Sequence, residues 1–543
     1  MHKNKIHISS LGDFSPSIVQ VVSKKKSIGF VSAISLVVGS SIGAGIFIKN
    51  HEILNNVHGS VGLAIIAWII AIIGIIALAL ALPEICSGIR NNSQGIIGWV
   101  RKFNKKFTYL GCKNFMTYLH LPIYYFIMPF YLIMTLQEAF GFQMEWYYLV
   151  LISLGISTWF IWISGISAKS ANIQNWITTC IKFLPIIFAA IAGFVVIGMG
   201  LRGTPVYWWN YPDVYTEHLP LFSDKWPAIG VLSSIPAIFF AFDGFYSTAG
   251  IQSEMKEPRK ISLAMGLGMA IVSALDITIS ISLLLGTETG KMSDLPKEIP
   301  QAVFAIANIC VSVGILGIVN GVSVYSARYY QDLIIHDEIP FSIFLKVHSH
   351  SSRPIMGTLV SYIITLFWFA VFTSVGVFFI NSGHYGTIPG WEQEGYIYGD
   401  KYVCALYSFS DLIGNWNAVI AFAIIMLAVI GVMKNRKTNE IKVKRSKYFI
   451  FGGIVSLTIV GASILFIPIQ SVGNLVYLIG YNQGWIPMPA DYHSPKPDNV
   501  DIFGASMQIG MFLIFLLIMF LPAINRSIGD RRKGVNKFSH STY

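Results

Sequence analysis

Seven residues, Gly39-Ser40-Ser41-Ile42-Gly43-Ala44-Gly45, interrupt an apolar run from Ile28 to Ile48. Glycine in a helix interior costs about 1 kcal/mol against alanine, so three glycines and two serines are poor material for one. In lipid the difficulty grows. Freed N–H and C=O groups find no water there, and irregular backbone persists only inside protein or along a wet cavity. One reading is a discontinuous helix whose bare peptide groups bind a small polar solute at mid-membrane depth. The other is helix packing, because Gly39 and Gly43 also form a Gly-x-x-x-Gly face. A second break, Phe242-Asp243-Gly244-Phe245-Tyr246-Ser247, carries a carboxylate into another apolar run, and Lys182 puts an amine inside a third. Ionisable groups at that depth face protein or water and mark solute or proton pathways by default.

Each candidate has a chemical role and a structural alternative. The half-helix starting near Gly43 ends in unpaired N–H groups at the positive end of its dipole, which suits a carboxylate. Asp243 attracts an ammonium group, titrates as its cavity wets and dries, or caps its own broken helix. Lys182 lies too deep to snorkel easily, so it either loads and releases a proton or reaches the membrane surface. Asp276 is expected to pair with Thr278 or Ser280, and Glu138 to sit at the interface. Glu84, Lys256, Glu257, Arg259, Arg328 and Asp337 are read as structural ion pairs first and an inner gate second.

These residues need membrane helices to hold them. Of the 543 residues 54% are hydrophobic and 12% charged, with a mean hydropathy of +0.61. A helix of about 20 apolar residues crosses the hydrocarbon core. Twelve such spans are expected, near 28–48, 61–88, 108–140, 146–165, 172–200, 227–250, 261–287, 300–333, 354–381, 403–433, 447–470 and 502–526. The predicted organisation is a cytoplasmic tail (1–26), a core (27–434) of two repeats near 27–200 and 227–434, two further helices within 435–526 with an external polar loop at 471–501, and a cytoplasmic tail (527–543). The two breaks fall in spans one and six. Five helices per repeat is an odd number, so the second copy is inverted.

With the N-terminus inside, 30 of the 38 lysines and arginines fall on internal segments and seven, including Lys49, on external ones. That asymmetry fixes the orientation and accounts for the net charge of +11 without nucleic acid. The five cysteines are scattered and lack metal-ligand spacing. No Walker phosphate loop is present, and of twelve histidines only His120 lies in a predicted span, which disfavours an ATP-driven pump or a membrane-embedded enzyme. A channel would call for an oligomeric selectivity ring. No metal or cofactor is expected.

Four segments, taken together, resemble the amino acid–polyamine–organocation family of secondary transporters. They are Gly39 to Phe47; Phe239-Phe240-Ala241-Phe242-Asp243-Gly244-Phe245 with Ser253-Glu254-Met255-Lys256-Glu257-Pro258-Arg259; Arg328 with His336-Asp337-Glu338-Ile339-Pro340, Lys346-Val347-His348 and Arg353-Pro354; and Ile181-Lys182-Phe183-Leu184-Pro185. The resemblance spans about residues 28 to 434. It implies an all-α integral membrane fold of the leucine-transporter type: a 5+5 inverted repeat with helices 1 and 6 discontinuous, plus two peripheral helices. It implies a multi-pass cell-membrane protein that moves amino acids or related amines, proton-coupled or as an exchanger. A polyamine or organocation carrier of the same fold is the alternative. By the same resemblance, Ser40, Ser41, Gly43 and Gly45 contact a substrate carboxylate. Carbonyls near Ala241 and Phe242, with Asp243 and Gly244, receive its ammonium, and Phe240 serves as an aromatic gate. Lys182, beside carbonyls of span one and the Ser323 hydroxyl, stands where sodium-coupled relatives hold a metal ion.

Overall fold

A computed structural model of the chain describes residues 28–42, 45–89, 94–209, 221–222, 226–246, 248–249, 255–295, 300–347, 353–379, 398–488 and 499–532. The expected site residue Gly43, its neighbour Ala44 and the two tails, apart from Arg532 and the residues just before it, lie outside the described residues. Eleven helices among those described are long and apolar enough to cross a membrane, and a shorter apolar one covers Pro227–Phe242. Together they make the twelve expected spans. The face at which span one begins is called the near face below, and the other the far face.

Span one is two half-helices, Phe30–Ser41 and Gly45–Asn56. The first stops at Ile42, whose N–H still donates to the Val38 carbonyl at 2.9 Å while its own backbone has turned extended. Span six stops at Phe242, and Asp243 is likewise extended. The breaks lie against each other. A Cβ on Gly45 would come within 2.8 Å of the Ala241 Cα, and one on Gly244 within 2.6 Å of the Ser40 carbonyl oxygen. Gly244 also has φ +101°, a region costly for residues with a side chain. Glycine at these two positions lets the broken backbones touch.

The contacts obey the expected repeat. Span one packs on span seven (Ile261–Gly286), and its counterpart, span six, packs on span two (Val61–Ser87). Span five (Ala168–Gly198) packs on span eight (Gln301–Ile335), as span ten (Lys401–Thr438) does on span three (Lys106–Phe140). Spans four (Trp146–Ile166) and nine (Ile355–Val377) meet each other, and they meet spans eight and three respectively. Each pairing maps onto another, or onto itself, when each member is exchanged for its counterpart five places away among the first ten spans. This is the pattern of two inverted five-helix halves. Span three is the innermost, with 94% of its most apolar stretch buried, against 28% for span eleven (Phe449–Gln483) and 22% for span twelve (Asn499–Arg532). The last two are peripheral.

One expected boundary is corrected. Span eleven continues to Gln483, so residues 471–483 of the expected external loop are helix. Ser471 returns its hydroxyl to the Ile467 carbonyl at 3.0 Å, so this polar residue bonds its own helix. Gly484, with φ +78°, provides the left-handed stop.

Candidate functional site

The break in span one frees backbone carbonyls, and Lys182 from span five takes two of them. Its ammonium donates to the Gly39 carbonyl at 2.6 Å and the Ile42 carbonyl at 2.8 Å. A buried cation thus sits at the negative end of the first half-helix, where the dipole and two charge-assisted bonds favour it. Ser323 is not among its partners. Its hydroxyl donates to the Val319 carbonyl, while Lys182 lies against Gly317, six residues earlier in span eight and about 9 Å along the helix axis. Ser40 also bonds within its helix, to the Val37 carbonyl at 3.1 Å, and the buried Ser41 hydroxyl has no partner among the described residues.

At the break in span six the Asp243 carboxylate is engaged on both oxygens. It accepts from its own neighbour's N–H, Gly244, at 3.0 Å, from the Tyr246 hydroxyl at 2.5 Å and from the Tyr124 hydroxyl of span three. The carboxylate thus bonds the first N–H past the break and two tyrosine hydroxyls. His120 extends the chain, its Nε2 at 3.0 Å from the Tyr246 hydroxyl and its Nδ1 at 2.9 Å from the Asn417 amide oxygen in span ten. This histidine closes a π-helical turn, Met116–His120, a local widening that often marks functional positions.

A small cavity opens beside the two breaks. Its polar wall is Ser40, Tyr124, Tyr246 and His120, with Gly244 at the crossing. Its apolar wall is Leu121, Ile318 and Val322, and Tyr325 stands toward the near face. Among the described residues, no Asp, Glu, Lys or Arg lines it. Phe240 lies elsewhere, on the far side of the breaks. Lys49 sits over its ring at 5.0 Å and Tyr131 meets it edge-on, ring centroids 6.0 Å apart. Phe242 turns its ring toward Trp68 of span two, 6.2 Å away, so the role expected of it rests on its carbonyl.

Lys49 is the largest correction to the charge reading. It is not a surface charge but a fully buried one, held by Glu52 at 2.7 Å and by Asp411 of span ten. Tyr131 donates to Asp411 at 3.2 Å, and Asn415 to Glu52 at 3.2 Å. Spans one, three and ten are thereby tied together over Phe240. A lysine and an aspartate near or inside separate predicted spans were the available signal. Nothing in the sequence marked them as partners. His120 was marked only as the one histidine in a predicted span, and nothing in the sequence singled out Tyr124.

The near-face charges pair differently from the expected gate. Glu84 takes a bidentate pair from Arg436 at 2.8 and 2.6 Å, and Glu257 pairs with Lys260 at 2.7 Å. Glu338 gathers Arg101 at 3.2 Å and Lys113 at 3.6 Å, with the Tyr109 hydroxyl. Asp332 accepts from Gln94 at 2.7 Å, and the Gln94 carbonyl accepts from Tyr325 at 2.9 Å, which links the cavity floor to this face. Beyond the end of span eight, the hydrogen bond from Lys346 holds Asp337 below the usual carboxylate range, and the bond to Asp332 raises His336 above its ordinary value. Glu138 accepts from Tyr398 at 3.0 Å. Asp276 pairs with neither expected hydroxyl: Thr278 donates to the Ala274 carbonyl and Ser280 to Asn50.

A family model described as amino acid permease matches residues 28–488. A Mycoplasma pneumoniae protein is 33% identical over 94% of this chain and 96% of its own length. The serine/threonine exchanger SteT of Bacillus subtilis is 25% identical over 60% of this chain and 72% of its own. Among solved structures, MhsT in complex with L-phenylalanine is 15% identical, covers 82% of this chain and 99% of that one, and superposes with a TM-score of 0.49.

Proposed function

We propose, since the chain belongs to the amino acid permease family, that this secondary transporter carries neutral amino acids. The observation that supports the narrower substrate class is the wall of the cavity. Among the described residues no charged side chain lines it, and the carboxylate nearby, Asp243, already accepts three hydrogen bonds. A polyamine or a cationic side chain would leave its charge unpaired there, and an unpaired buried charge is strongly disfavoured. Leu121, Ile318 and Val322 suit an apolar or small side chain. Ser40, Ser41, Gly43 and Gly45 are proposed to meet the substrate carboxylate, and the carbonyls of Ala241 and Phe242 its ammonium, with Gly244 keeping the crossing open.

Transport proceeds by alternating access. The Lys49–Glu52–Asp411 cluster, with Phe240, shuts the far path, and the cavity lies on the near side of it. The near face is cytoplasmic in this reading, in keeping with the lysine and arginine asymmetry of the chain. Lys182 is the proposed proton-coupling group. While protonated it holds the two span-one carbonyls by charge-assisted bonds, so losing its proton weakens that hold and lets the first half-helix move.

The test is counterflow in proteoliposomes preloaded with unlabelled L-serine or L-leucine. Labelled L-serine, L-leucine or L-phenylalanine in the medium is expected to accumulate, and labelled L-arginine, L-glutamate and spermidine are not. Preferential counterflow of arginine or spermidine, tested with the same compound preloaded, would overturn the neutral assignment.

A further inference from the structure

We infer that Asp276 in span seven is a proton-binding site separate from the cavity, set behind the break in span one and emptied when the second half-helix of that span moves; the inference rests on the transporter reading above. Asp276 is 1% exposed, and neither carboxylate oxygen has a hydrogen-bond partner among the described residues. Its depth follows from two contacts on either side of it. Gly268 abuts Val37 of the first half-helix, and the Ser280 hydroxyl donates to the Asn50 side-chain oxygen of the second at 2.6 Å. Spans one and seven run in the same direction. Asp276, eight residues after Gly268 and four before Ser280, is therefore level with the start of the second half-helix at Gly45.

Its surroundings are polar and incomplete. Ser273, Asp276 and Ser280 recur at steps of three and four, so they share one face of the helix. The Ser273 hydroxyl and the Asn50 side-chain nitrogen are also buried without partners among the described residues. No counter-charge is available among the described residues. Asp276 is the one charged residue in Ile261–Gly286. Of the groups on the elements packed against it, Lys182 on span five is bound to the Gly39 and Ile42 carbonyls, and Lys49 and Glu52 on the second half-helix are bound to each other, Lys49 also to Asp411. His51 on that same half-helix meets the Thr289 carbonyl at 2.9 Å. Glu84 on span two is held by Arg436, and in the turn leading into span seven Glu257 is held by Lys260 beside Arg259. The first half-helix carries no charged residue.

An ionised carboxylate in low-dielectric surroundings, with neither counter-ion nor hydrogen bond, is far costlier than the neutral acid, so the group binds a proton. The Asn50–Ser280 bond holds the second half-helix over this face of span seven. Withdrawing that half-helix removes the amide and admits water, and the hydrated carboxyl releases its proton to the far side. Closing the far path takes it up again.

Infrared spectra of the full chain in lipid nanodiscs, titrated with pH in potassium buffer, read the site directly and without transport. At pH 8 the wild type is expected to show a protonated-carboxyl C=O band that Asp276→Asn lacks. Asp276→Leu, which needs no hydrogen bond, serves if the asparagine variant does not fold. A band that is absent from the wild type, or retained in the variants, overturns the proposal. A band lost when sodium replaces potassium at constant pH also overturns it, because the ligand would then be a metal cation. Lys49→Met, which loosens the second half-helix, is expected to move the midpoint of the band down by about one pH unit or more, and an unchanged midpoint would refute the link to that motion. Loss of counterflow alone would count against the transporter reading and leave these spectra to decide the proton site.

Discussion

Replacing Lys49 by methionine removes one cation from between two carboxylates on separate helices. The lysine side chain is 1% exposed, Glu52 30% and Asp411 20%. Breaking a fully buried pair costs about 3–5 kcal/mol, while a surface pair is worth about 0–1 kcal/mol. The carboxylates here reach some water, so about 1–3 kcal/mol lies between those bounds. The loss falls on the far-closed arrangement, since only there do spans one and ten share the lysine. A bias of about 1–3 kcal/mol corresponds to roughly a 5–150-fold shift toward the far-open arrangement. Amide hydrogen exchange in nanodiscs, read on peptides covering residues 45–56, should accelerate by a factor in that range. Lys49→Arg keeps the charge and should stay near the wild type. If exchange at 45–56 is unchanged while the melting temperature falls, the cluster stabilises the protein without acting as a lock, and the reasoning fails.

Three further outcomes follow from the same geometry. Lys182→Met leaves the Gly39 and Ile42 carbonyls without their donor, at about 1–3 kcal/mol for each group left buried and unsatisfied; a lower melting temperature together with uptake that no longer responds to a proton gradient is expected, and wild-type gradient dependence would exclude the coupling role. Gly244→Ala forces a Cβ to 2.6 Å from the Ser40 carbonyl at φ +101° and should cost about 1–3 kcal/mol and abolish counterflow. Gly155→Ala, which meets nothing within 4 Å, is the control and should be neutral in both assays. The raised pKa of His336 means that its bond to Asp332 contributes fully below about pH 6.5 and is lost as pH rises through the raised value. Exchange of residues 336–347, corrected for intrinsic rates, should therefore speed up on going from pH 6 to pH 8, and the opposite trend would show that His336 does not pin this turn.

The glycine-serine stretch at 39–45, the carboxylate at 243 and the asymmetry of basic residues were legible in the sequence because each rests on a local rule. Helix breaking, insertion cost and the length needed to cross lipid depend on neighbours in the chain, so the twelve spans and both interruptions could be read directly. The depth of Lys182 was legible for the same reason; its carbonyl partners, Gly39 and Ile42, were expected only from the family resemblance. Partnership across the bundle was not legible. Lys49 read as an external charge because its partner Asp411 lies 362 residues away. Asp276 read as a residue bonded to its own helix because the sequence does not show which face of span seven meets Asn50. His120 stood out only as the one histidine in a predicted span, and Tyr124 had no assigned role, though both line the cavity. The sequence alone determined where the backbone must break, since that choice is made residue by residue against the cost of lipid. Only the tertiary structure decided which side chains close, line and neutralise the break, since helix rotation and register are set by the sum of many weak contacts that no single stretch encodes.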